Sequence, residues 1–479
     1  MAPSSGCTDV TGSRWLILAA VLALAAAPRF ARLGAWPFAG DEVATLAEAD
    51  AFSQGDTSDT PIARLPRAIP LAHTIHSAAH AVFGRDEFGA RVAMALFGTA
   101  TVGLAFLLLD RPGGRPRAVA TAVLIALWPE HVFHSQYVRF YTPATFFGYA
   151  ALLCGAVAID RWSAKWMWAA AGAVLAATLC HTVTAALTGV IGVGTLAAGR
   201  ACRCSPVRLL VPLCVAAVSL GVFYVIYLRP LLAGWNSDAQ WGYTSTRALL
   251  SAVNMLSWPV ALLGGAGFVL LAADRTRENW YWVTVALGWL GAAAVLPRVI
   301  AFHPAYVVPF ALGALVPAGH AVGRIYTALR PSGALPAWVC SALACCGSLP
   351  SLLSHELDGS RPDLRTATQY VAANRRPGDR VVAAEADVVT YYLNSPEVVI
   401  GVTGPDIAGR LAELAKAPGR MWIILPSGRA GLPPPLIAWL GRNCAHELRA
   451  RKTRFDYLDY CVDVYLYSGG TKPSLLPDP

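Results

Sequence analysis

Eleven apolar runs, at roughly 15–34, 88–109, 118–134, 141–160, 165–182, 184–199, 207–228, 249–272, 280–298, 304–322 and 333–352, constrain this chain more than any other feature. Each is long enough, or nearly so, to cross a bilayer as a helix. A soluble fold of 479 residues does not accommodate 56% hydrophobic and only 14% charged residues. The chain is therefore read as an α-helical polytopic membrane protein with about eleven transmembrane helices. Arg111 to Arg117, Asp160 to Lys165, Arg200 to Arg208, Asp274 to Arg277 and Arg324 to Arg330 occupy alternate connections and hold most of the Lys and Arg. Basic loops stay in the cytoplasm, which gives an N-in, C-out topology, as an odd number of crossings requires. The first run has the length of a signal peptide and is read as a retained signal anchor. The net charge of +9 is spread over short loops with no basic patch, which argues against nucleic acid as a partner.

The outer side carries the charged residues of interest. A long first loop, 35–87, begins with Gly40-Asp41-Glu42 and is expected to form helices at 41–53 and 68–83. An acidic pair beside a bilayer stays solvated or finds a partner, so it is a site candidate; it also suits a helix N-terminus. His73, His76 and His80 recur at helical spacing on one face, either to bind a metal or as the wet side of an amphipathic helix. The loop closes on Phe83-Gly84-Arg85-Asp86-Glu87, and Arg91 opens the second run. A second outer segment reads Ser135-Gln136-Tyr137-Val138-Arg139-Phe140-Tyr141, with an arginine between aromatics at a membrane boundary. Further outer loops span Arg229 to Arg247, rich in Trp and Tyr, and Arg298 to Pro304.

Beyond 352 the pattern changes. Helices are expected at 363–375, 406–416 and 435–442, and strands at 380–384, 398–401, 421–425, 447–450 and 461–467. Residues 353–479 thus form a small extracytoplasmic α/β domain, after a transmembrane module of 1–352. Cys444 and Cys461 flank adjacent strands in an oxidising compartment and make a candidate disulfide. The domain has no phosphate-cradling glycine loop and no nucleophile elbow.

Carboxylates can take a proton from a hydroxyl, and guanidinium groups can hold a phosphate as it leaves. That combination suits group transfer from a lipid phosphate, and equally a lipid-phosphate transporter. The chain resembles the GT-C superfamily of integral-membrane glycosyltransferases, in particular the bacterial relatives of protein O-mannosyltransferases and lipid A aminoarabinose transferases. Asp41-Glu42 is similar to the family's acidic motif. Val82 to Arg91 is similar to its Phe-Gly, polar step and arginine, and Ser135 to Tyr141 to its Ser-Gln-x-x-Arg-x-Tyr. Pro362 to Asp379, ending in Arg-Pro-Gly-Asp, looks like the start of the family's extracytoplasmic domain. Two positions depart: Tyr137 stands where a glutamate is common, and His303-Pro304-Ala305-Tyr306 where an Arg-Tyr pair opens a late span.

The resemblance implies a polyprenyl-phosphate sugar donor, used on the outer face of a bacterial inner membrane. The acceptor would be a lipid, polysaccharide or protein hydroxyl. Asp41 would be the general base and Glu42 would orient the site. Arg139 and Arg91 would neutralise the leaving phosphate, with Tyr141, Arg85 and Arg298 as further phosphate contacts. Glu87, His73, Gln136 and His303 are candidate substrate contacts. A divalent metal is an open possibility that the resemblance does not fix. The competing expectations are a flippase or transporter of a lipid-linked substrate, and a non-catalytic assembly subunit.

Overall fold

The structure, a computed structural model, describes residues 9–111, 114–232, 244–300, 302–396, 399–402, 406–427, 432–453 and 459–469. Of the aromatic-rich outer loop expected at Arg229 to Arg247, residues 233–243 lie outside them. Two compact units emerge: one of 1–31, 48–84 and 89–352, the other of 32–47, 85–88 and 353–479.

The first unit is helical. It contains α1 (Asp9–Phe30), the end of α2 (Gly40–Ser53), the short helices α3 (Pro61–Ala68) and α4 (Pro70–Phe83), then α5 (Gly89–Leu109), α6 (Arg115–Leu127) and α7 (Pro129–Ser135). There follow α8 (Tyr141–Arg161), α9 (Ala164–Cys180), α10 (Leu187–Cys202), α11 (Val207–Phe223), α12 (Arg229–Leu232) and α13 (Ser245–Leu256). The series continues with α14 (Trp258–Ala273), α15 (Arg277–Val299), α16 (Leu312–Leu329), α17 (Ala334–Cys345) and α18 (Leu349–Asp358), whose end enters the second unit.

Six helical segments among the described residues are long and apolar enough to cross a membrane, or eight if two bent pairs each count as one. The expected eleven runs all contain helix, but three of their helices, α6, α9 and α17, have only 13, 17 and 12 residues. At 1.5 Å per residue these are about 20, 26 and 18 Å long. The breaks have local causes. Pro129 has no N–H to continue α6, and Ser257 at φ 67° turns the chain by 101° between α13 and α14. Arg111 bridges Asp160 and Glu278, Arg117 also meets Glu278, and Arg324 meets Asp274. These ion pairs gather four of the five basic connections at one end of the bundle. Large aromatics fill its core: Tyr149, Tyr281, Trp282 and Phe106 are fully buried.

The second unit is α/β. After residues of the first loop come α19 (Leu364–Asn374), β1 (Arg380–Ala383), α20 (Ala386–Leu393), β2 (Val399–Gly401), α21 (Ile407–Leu414), β3 (Met421–Ser427), α22 (Pro434–Asn443), β4 (Cys444–Thr453) and β5 (Asp459–Tyr467). The sheet order is β2-β1-β3-β5-β4, with β1 parallel to β2 and β3, and β5 antiparallel to β3 and β4. Val381, Val388, Val389, Leu364, Val371, Trp422 and Ile424 form one buried layer against the sheet. Leu411, Met421, Ile423, Leu436 and Leu440 form the other.

All five expected strands and three helices are present, while α20 fills what reads as a loop. The expected Cys444–Cys461 disulfide is corrected by the register. Cys444 lies opposite Tyr467 and Cys461 opposite Arg451, seven residues along β4. At about 3.4 Å per residue, seven residues place them ~24 Å apart. A disulfide needs Cα atoms within about 7 Å, and both thiols are free.

Candidate active site

In the second unit, the Gly40-Asp41-Glu42 triplet forms the first turn of α2. Glu42 reaches back to accept the backbone N–H of Ala39 at 3.0 Å, half of a capping box. The same Oε2 accepts from Arg361 Nη1 at 3.2 Å, and both side chains are buried. Asp41, on the next position round the turn, is exposed. Glu385, at the foot of α20, accepts the N–H of Gly40 and lies beside Asp41. Burial and the Asp41 charge push the Glu385 carboxyl above its ordinary range, against the opposing pull of the Gly40 N–H. Glu87 accepts from Arg365 Nη1 at 3.1 Å and from the Tyr392 hydroxyl at 3.0 Å, so its carboxylate joins the first loop to α19 and α20. Arg85, two residues earlier, is exposed.

In the first unit, Arg139 is the centre of a second cluster. Its guanidinium lies 3.7 Å from Glu48 Oε2 and 4.6 Å over the Phe140 ring. His73 Nε2 approaches the same Glu48 oxygen at 3.7 Å. His73, His76 and His80 step along α4 with ring centroids 6.1 and 6.3 Å apart. Far from being a wet face, all three are buried. Burial, with Arg139 nearby, depresses His73 to about 3, so its ring is neutral at physiological pH. Among the described residues no group of three or more His, Cys, Asp or Glu is arranged to hold a metal ion.

Tyr141 lies at the hub of an aromatic wall, with His134 at 4.9 Å, His181 at 5.8 Å, and His303 and Tyr306 each at 6.4 Å. His303 caps its own segment by accepting the Ala305 N–H. Arg91 is fully buried in the first turn of α5. Arg298 is exposed in the last turn of α15, where it donates to the carbonyl of Ala294.

The segment carrying Arg139 is held from below. The Gln136 amide donates to the carbonyls of Pro28 and Ala31, at 2.7 and 3.1 Å, satisfying orphan acceptors at the end of α1. Fully buried Arg29 donates to His131 Nδ1 at 2.6 Å and to the carbonyls of Ala25 and Ala126. These bonds occupy Gln136 with scaffolding. Phe140, Tyr141 and Ala144 then pack against Ile69, Ala72, Cys180 and Ala305.

Over 95% of its length, and 98% of the other chain, this structure resembles ArnT from Cupriavidus metallidurans, solved with undecaprenyl phosphate, at a TM-score of 0.59 and 17% identity. The fold is that of the GT-C glycosyltransferases. The arabinofuranosyltransferase AftD from Mycobacteria shares this GT-C fold at a TM-score of 0.52 and 15% identity, over 96% of this chain and 40% of that one. By sequence, residues 68–205 match the family of dolichyl-phosphate-mannose-protein mannosyltransferases. No curated protein matches the chain. The apolar helices and these likenesses make it a multi-pass membrane protein with a GT-C fold.

Glu48, His181, Arg361 and Glu385 escaped the sequence reading. Glu48 had a signal, since it follows Asp41 by two turns on a helix already expected. The partners of Arg361 and Glu385 lie more than 300 residues away, and nothing local marks them.

Proposed function

We propose that this protein is an inverting glycosyltransferase that moves one sugar from a polyprenyl phosphate to an acceptor hydroxyl. It would act at the extracytoplasmic face of a bacterial inner membrane. The observation that carries the reading is Arg139, a guanidinium fixed by Glu48 and Phe140 on a segment bolted to the end of α1, within a GT-C fold. ArnT, similar in fold, was solved with undecaprenyl phosphate, and the same class of lipid carrier suits this arginine-bearing, aromatic-walled cluster.

Asp41 takes the proton of the acceptor hydroxyl. The freed oxygen bonds to the anomeric carbon from the side opposite the phosphate. The carbon–oxygen bond to the phosphate breaks, its electron pair leaves with the polyprenyl phosphate, and the sugar inverts. Arg139 and Arg91 balance the charge that grows on the leaving group, and Tyr141 offers its hydroxyl to it. Glu42 serves through the Ala39 N–H and Arg361, by holding the turn on which Asp41 stands. Each step uses the chain's own side chains.

Membranes containing the protein, given pooled radiolabelled polyprenyl-phosphate sugars, test this. Loss of sugar from the lipid phosphate, with label appearing on an acceptor, is the expected result. Movement of intact labelled lipid between leaflets without sugar release would replace the transferase by a transporter.

A further inference from the structure

Open sheets with parallel strands usually bind ligands at the carboxyl ends of those strands. In the second unit that position, just past β1 (Arg380–Ala383), carries Glu385. Its carboxylate is turned to the chain's own Gly40, whose N–H it accepts. This N–H belongs to the first turn of α2, where no intrahelical acceptor exists. A Cβ on residue 40 would lie 2.9 Å from Glu385 Oε2 and 3.9 Å from Val388 Cγ2, so only glycine lets the carboxylate come this close without displacement. Val43, one turn on, packs against the core that includes Val388 and Val389. The triplet is thus gripped at both ends, Gly40 by Glu385 and Glu42 by Arg361, with Asp41 between them.

We propose that Glu385 is a positioning residue for Asp41: it holds the turn that carries the base and places a second titratable carboxyl beside it. The soluble domain is then part of the catalytic apparatus through this contact. The proposal rests on the transferase reading, with Asp41 as the base. The charged group acting on Glu385 is Asp41. Glu42 is turned to Arg361, and Glu87 to Arg365 and Tyr392. Two neighbouring carboxyls release their protons in two coupled steps. Buried Glu385 holds its proton to higher pH than an ordinary carboxyl, because its ionisation has to be made both out of water and beside a charge.

The test uses the full-length protein in membranes and three variants, assayed for sugar release from labelled polyprenyl-phosphate sugars across pH. Glu385→Ala removes the acceptor and is expected to lower kcat about tenfold or more, with little change in donor KM, since small misplacement of a catalytic group is costly. Glu385→Gln keeps an acceptor for the Gly40 N–H. It is expected to recover most of kcat but to lose the inflection that Glu385 contributes to the wild-type kcat/KM profile above the ordinary carboxylate range. Gly40→Ala pushes the carboxylate away while leaving both acids in place, and is expected to lower kcat with an unchanged thermal unfolding midpoint. A Glu385→Gln profile that superimposes on wild type, or a Glu385→Ala variant keeping at least half the wild-type kcat, overturns the proposal. Wild type that releases no sugar overturns instead the transferase reading beneath it.

Discussion

Glu42 and Arg361 are each buried, and removing either takes a charged partner away from the other. Breaking a buried pair from one side typically costs about 3–5 kcal/mol. Glu42→Ala and Arg361→Ala are each expected to destabilise the second unit by about that much, and the double variant by less than the sum. Thermal unfolding of the three variants measures it; additive losses would mean that the pair does not act as one. Arg139 is different, because its planar guanidinium faces both Glu48 and Phe140. Arg139→Lys keeps the charge but not the fork or the stacking, and is expected to restore only part of the activity lost in Arg139→Ala. Full recovery in the lysine variant would reduce the role of Arg139 to that of a point charge. Asp41 and Arg139 were legible in the sequence because they stand in short motifs. Glu48, Arg361 and Glu385 were not, since their partners are set by tertiary packing.

At the scale of elements, α4 carries the clearest departure from expectation. Its three histidines have the spacing of a polar face, but the helix buries them. Spacing gives the face and not its surroundings. A His whose folded value is depressed favours the neutral form, so its contribution to stability is present above the ordinary value of about 6.5 and is lost as pH falls from there toward the folded value. With His73 at about 3, the first unit is expected to weaken steadily between about pH 6.5 and 3. Detergent-solubilised protein should show a lower unfolding midpoint at pH 5 than at pH 7.5, and His73→Gln a smaller drop. Equal midpoints would contradict the burial.

The strands of the second unit were legible because runs such as Met421–Ser427 alternate with turn residues. Helix α20 was not, because Val388, Val389 and Thr390 are β-branched and read against a helix. It forms because Val388 and Val389 fill the core and Asn394 closes it in the left-handed region. In β4 and β5, Cys444 and Cys461 should both alkylate in denatured, unreduced protein; protection of both would restore the disulfide.

For the whole molecule, hydropathy pointed to the class of fold at once, and its count of eleven crossings stands beside six to eight segments among the described residues that are long and apolar enough to cross. Composition cannot see the breaks at Pro129 and Ser257, where one apolar run becomes two shorter helices. The two-unit division also differs from a boundary drawn at the end of the last apolar run. The unit that contains the C-terminal sheet also contains Asp41, the proposed base. The first measurement is therefore the rate of sugar release from polyprenyl phosphate by wild type and by Asp41→Asn, at matched expression and with unfolding midpoints recorded. Removal of a positioned base lowers rates by about 10²–10⁴, and the account expects a loss in that range with an unchanged midpoint. A variant that keeps at least half the wild-type rate would contradict it.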